Sequence, residues 1–153
     1  MSCQNLLACL ENEQRAVVDF IALLEEESQA LIERAAPQRL GELTESKTQA
    51  ADQLAALGEA RDAALHALGF DGGHAGTRAA AAQYPEIVDT WQGLLDASAT
   101  AKQLNERNGV LISTHLRFNR DALNALRAAA GATLYGANGK QPGVGNLSAT
   151  RRA

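Results

Sequence analysis

Apolar positions recur at alternating three- and four-residue steps along most of the chain, the mark of helices that each bury one stripe. In the longest such stretch, Pro85 to Ala130, the stripe is Leu94, Ala97, Ala101, Leu104, Asn108, Leu111, His115, Phe118, Ala122 and Ala125. A neighbouring stripe of Ile112, Leu116, Leu123 and Leu126 widens the apolar face. Gly131 is placed to stop this helix, since glycine accepts the positive φ of a helix C-terminus. An earlier stripe, Leu6, Leu10, Gln14, Val17, Ile21, Leu24, Ser28 and Leu31, predicts a helix from Asn5 to Ala35. A second, Leu40, Leu43, Lys47, Ala50, Leu54, Leu57, Arg61, Ala64 and Leu68, predicts a helix from Pro37 to Leu68. Pro37 suits a first helical turn, where its missing N–H costs nothing.

With almost no linker between them, the first two helices should turn back on each other. Four glycines between Gly69 and Gly76 then break the pattern. Thr77 is expected to cap a short turn at Arg78–Gln83, and Pro85 to reopen regular structure with Glu86 near the helix dipole. The expected fold is all-α: an antiparallel three-helix bundle or coiled coil, with a long third helix, over residues 1–131. Residues 132–153, rich in glycine and without apolar period, are expected to form a flexible tail.

Polar residues interrupt the seams in register. Antiparallel counting from the Ala36 turn sets Ser28, Lys47 and Asn108 near one height, and Gln14 with Arg61 at another. Two polar layers that fix helix register are therefore expected, as single polar core residues do in coiled coils. The competing expectation is that Lys47 and Arg61 lay their stems on the seam with their charges in water. The run Glu25-Glu26-Glu27 reads as a solvated face.

Composition narrows function more than fold. Apolar residues make up 46% of the 153 residues but aromatics only 4%, which suits closely packed Leu and Ala rather than a deep ligand pocket. Residues 1–68 carry 12 acids against 5 bases, which speaks against nucleic-acid binding. No apolar run reaches the ~18 residues of a membrane helix, and no basic leader opens the chain. Cys3 and Cys9, almost two turns apart on one helix, cannot bridge there and read as free thiols. The expected location is the cytoplasm.

Catalytic chemistry is hard to assemble from these residues. Gly136-Ala-Asn-Gly-Lys-Gln has two residues between its glycines where a phosphate loop needs four, and no Ser or Thr follows the lysine. His66, His74 and His115 lack the spacing and the cysteine partners of a metal site. Neither an enzyme nor a cofactor is expected.

Several short motifs are familiar in combination. Leu94-Leu95, Asn105-x-x-Asn108-Gly109-x-Leu111-Ile112, Asn119-x-x-x-Leu123-x-x-Leu126 and Leu134-Tyr135-Gly136-x-x-Gly139 resemble the FlgN-type flagellar chaperones, as do Lys47 and Arg61 in the second helix. The order of elements resembles that family as well. The resemblance implies a cytoplasmic, cofactor-free export chaperone that binds hook–filament junction proteins, keeps them unassembled and delivers them to the flagellar type III export gate. It also implies client contacts near the C-terminus, at Leu116, Asn119, Leu123, Leu126, Leu134 and Tyr135. The alternative is a coiled-coil adaptor or dimerisation protein with no part in export.

Helix lengths point to the same region. The third helix, about 69 Å against about 47 Å for the others, should outrun them by its last ~14 residues, Arg117 to Ala130. Phe118, Leu123 and Leu126 would then lack a helix of their own chain. A bend at Asn108-Gly109, or two copies burying these ends together as a homodimer, would cover them instead.

Overall fold

The computed structural model describes the backbone of residues 3–136 and the side chains of residues 3–131. It is all-helical, and among the described residues no strand occurs. Four helices and one short turn follow in order: α1 (Cys3–Ile32), α2 (Pro37–Ala67), α3 (Gly73–Gln83), a 3-10 turn (Pro85–Ile87) and α4 (Val88–Gly136). The chain divides into two compact units, residues 1–111 and 112–153, and α4 supplies residues to both.

In the first unit, α1 ends on a left-handed residue, Arg34, at φ +54°. Arg34 N–H donates to Leu31 O at 3.3 Å and Ala35 N–H to Ala30 O at 2.9 Å, which satisfies the last carbonyls of the helix. Pro37 then opens α2 within its first turn. The same device closes α2: Gly69, at φ +87°, donates to His66 O, and Phe70 N–H to Leu65 O.

Cross-helix pairs give the order of packing. Near the α1–α2 turn Glu26 pairs with Arg39 and Glu27 with Lys47, and farther from it Glu13 pairs with Arg61. From α1 to the chain that follows α3, Cys3 pairs with Glu86 at the start of α1, and Leu24 with Asn108 and Ser28 with Arg107 toward its end. Leu6, Leu10, Val17, Leu24, Ala64, Leu65, Ala80, Ile87, Trp91, Leu94 and Ala101 form one buried cluster between them.

Two expectations need correction. The glycine-rich break holds a full helix, α3, and Thr77 does not cap a turn after it. Thr77 is buried inside α3 and its hydroxyl donates to Gly73 O at 2.8 Å. The helix start is instead satisfied from α2, where Asp62 Oδ1 accepts from Gly73 N–H at 2.9 Å. Gly76 permits this fold-over, because a Cβ there would fall on the Asp71 carbonyl oxygen. His74 sits on α3 with its ring edge-on to Trp91, centroids 5.0 Å apart.

The second correction is at Gly131, which lies inside α4 rather than after it. One interior glycine costs only about 1 kcal/mol against alanine, and Ala128, Ala129, Ala130 and Ala132 around it are strong helix formers. The remainder of the expected tail, 137–153, lies outside the described residues.

Candidate functional site

Two features of the chain bear on function: a polar layer buried between helices, and an apolar stripe left exposed.

The polar layer centres on Glu27, whose side chain is only 5% exposed. Lys47 Nζ approaches both carboxylate oxygens, at 3.0 and 3.2 Å, and reaches Asn105 Oδ1 at 3.1 Å. Asn108, fully buried, donates its amide to Leu24 O at 2.8 Å and to Glu27 Oε1 at 2.9 Å. Ser28, also buried, accepts from Arg107 at 3.3 Å. Residues from α1, α2 and α4 thus meet around one carboxylate. Charge-assisted bonds of this kind are roughly twice as strong as neutral ones and hold the helices in one register.

A second pair lies lower on α1. Arg61 donates to Glu13 Oε2 at 2.8 Å and to Asp62 Oδ1 at 3.2 Å, with the Glu13 and Arg61 side chains 11% and 14% exposed. Gln14 lies instead against Gly93 of α4, where a Cβ would collide with its amide. Burial pushes the Glu13 carboxyl above its ordinary value, against the opposing pull of Arg61, and Asp62 adds to the rise. The Asp62 carboxyl is held below its ordinary value, first by the bond from Gly73 N–H.

Glu13 and Glu27 are the residues that sequence reasoning missed. Both stand on the buried stripe of α1 beside Leu10, Val17, Leu24 and Leu31. Their signal was the facing bases, Arg61 and Lys47, each set in an apolar seam without an assigned acid.

The exposed stripe belongs to the second unit. Between residues 112 and 130, Leu116 is 65% exposed, Phe118 54%, Leu123 46% and Leu126 67%, and Asn119 is exposed among them. Leu134 and Tyr135 fall in the last turns of α4, with side chains outside the described residues. Among the described residues, no group of His, Cys, Asp and Glu could hold a metal, and no helix is long and apolar enough to cross a membrane. Cys3 and Cys9 are free thiols.

Known proteins are similar to this sequence. The family described as FlgN protein matches residues 1–143. A flagella synthesis protein FlgN from Proteus mirabilis is 30% identical over 102 residues, which is 67% of this chain and 65% of that relative. The protein of the same name from Yersinia enterocolitica is 32% identical over 63 residues, 41% of this chain and 43% of its own length. The chain thus spans less than two thirds of the length of these relatives in the matched regions. No solved structure matches it significantly. With its family match running from α1 to beyond the end of α4, the chain belongs to the FlgN family.

Proposed function

We propose that the protein is a cytoplasmic export chaperone. It binds flagellar hook–filament junction proteins, keeps them unassembled and delivers them to the type III export gate. Membership of a family whose relatives are called flagella synthesis proteins supports the flagellar role.

The observation that carries the chaperone reading is the exposed stripe of Leu116, Phe118, Leu123 and Leu126. Large apolar side chains in a row are costly to leave in water and mark a surface meant for a partner. Leu116, Leu123 and Leu126 stand seven and three residues apart on one face of the helix, which suits a partner helix. Leu134 and Tyr135 extend the same role along the chain.

The proposed framework of residues 1–111 is an antiparallel α1–α2 hairpin completed by the first half of α4. Glu27 with Lys47 and Glu13 with Arg61 support the opposed sense of α1 and α2, and Gln14 against Gly93 with Leu24 bonded to Asn108 supports the parallel sense of α1 and α4. Gel filtration of the full chain mixed with a purified hook–filament junction protein tests the reading. A stable complex is expected with the junction protein and none with the filament subunit. Failure to co-elute with any junction protein overturns it.

A further inference from the structure

We propose that the helix received by this stripe carries acidic residues along the edges of its apolar seam, and that Arg120 and Arg127 select it. The inference rests on the chaperone reading and concerns the chemistry of the client.

The charges of the second unit are one-sided. Between residues 112 and 131 stand Arg117, Arg120 and Arg127 against one acid, Asp121, a net charge of +2. Residues 1–111 by contrast hold 17 acids and 8 bases. Asp121 does not cancel the excess: its contact with Arg120 is 3.8 Å long, with both side chains about two thirds exposed (67% and 68%). Exposed pairs of that kind contribute little.

Placement matters more than number. Ile112, Leu116, Asn119, Leu123 and Leu126 follow four, three, four and three residues apart, which is the seam of a coiled coil. In that frame Ser113, Arg120 and Arg127 recur every seven residues along one edge of the seam. His115, Ala122 and Ala129 line the other edge. Edge positions are where charges pair across two helices and choose the partner. Here one edge is basic and the opposite edge offers no acid.

That asymmetry disfavours a second copy of this chain as occupant. Side by side in antiparallel sense, like edges meet, and Arg120 and Arg127 face arginines. In parallel sense they face His115, Ala122 and Ala129 of the other copy, which cannot pair with them. A helix with glutamates or aspartates beside its apolar seam satisfies both arginines in either sense. Asn119, a lone polar residue in the seam, then penalises the wrong register.

The test uses the full chain and two designed 21-residue helical peptides with one leucine and alanine seam. One peptide has glutamate at every edge position, the other lysine, and affinities are read by fluorescence anisotropy. The glutamate peptide should bind about 5-fold or more tightly at about 50 mM salt, with the preference shrinking at about 300 mM. The preference should invert in R120E/R127E and vanish in R120Q/R127Q, the second variant guarding against helix loss in the first. Equal affinity for both peptides, or a preference unchanged in both variants, overturns the inference. So does self-association of the free chain that Leu123→Asp abolishes, since the occupant would then be a second copy. Stable capture of a junction protein without charge preference sinks this inference alone. Loss of all capture by the unmodified chain sinks the reading beneath it.

Discussion

Asn108 of α4 holds Glu27 of α1 with the same amide nitrogen that it gives to Leu24 O, at 2.9 and 2.8 Å. Its own oxygen is buried without a hydrogen-bond partner among the described residues. The side chain therefore acts as a donor, and its replacement has a sign. Asn108→Ala leaves a buried carboxylate short of one partner and opens a small cavity, for a loss of about 2 kcal/mol. Asn108→Asp should cost more, because it sets a second carboxylate against Glu27. Urea midpoints for the two variants check the order.

Lys47 completes the neutralisation of Glu27 from α2. Lys47→Met should cost about 2–3 kcal/mol, because it strips a nearly buried carboxylate of its ion-pair partner. Lys47→Met combined with Glu27→Gln should recover part of that loss. A double-mutant cycle should give a coupling of at least ~1 kcal/mol. Additive losses would contradict the pairing.

Much of this was legible beforehand, and the residues that were not have a common cause. Leu6, Leu10, Leu24, Leu31, Leu43 and Leu94 lie buried where their spacing put them. Lys47 and Asn108 were recognisable as breaks in those seams. Glu27 was hidden by its neighbours Glu25 and Glu26, which are exposed, so that three glutamates looked like one solvated face. A helix rotates by about 100° per residue, and the third member of an acidic run can face the core when a lysine waits there. Glu13 was passed over for Gln14 for the same reason, a one-residue choice at the edge of the stripe. In α3, glycine frequency masked a helix whose start is completed by Asp62, eleven residues earlier.

Glu13 makes stability depend on pH in an unusual direction for a paired glutamate. Its proton is held more tightly in the folded state, because burial outweighs the attraction of Arg61. Stability from this group is thus fully present below its unfolded value and is lost as pH rises through the raised folded value. The stability of the unmodified protein minus that of Glu13→Gln should fall as pH is raised from about 4 to about 7. Urea titrations of both proteins across that range give the difference. A rise with pH would mean that the Arg61 pair outweighs burial.

The attachment of α3 should be separable from the rest of the first unit. Asp62→Ala removes the acceptor of Gly73 N–H and should cost about 1 kcal/mol. Gly76→Ala should cost more, since its methyl meets the Asp71 carbonyl, and should detach α3 locally. Trp91, the single tryptophan, lies against His74 of α3, so its fluorescence should shift in Gly76→Ala. Unchanged emission and melting in both variants would contradict this attachment.

On the proposed function, the exposed leucines of α4 serve a client and not the fold. Leu123→Asp with Leu126→Asp tests it most directly, by measuring junction-protein affinity and thermal unfolding on the same preparations. Binding should weaken about 10-fold or more, since each buried leucine is worth about 2 kcal/mol. Helicity and melting temperature should stay those of the unmodified protein. A variant that unfolds, or one that binds the junction protein undiminished, would contradict the claim.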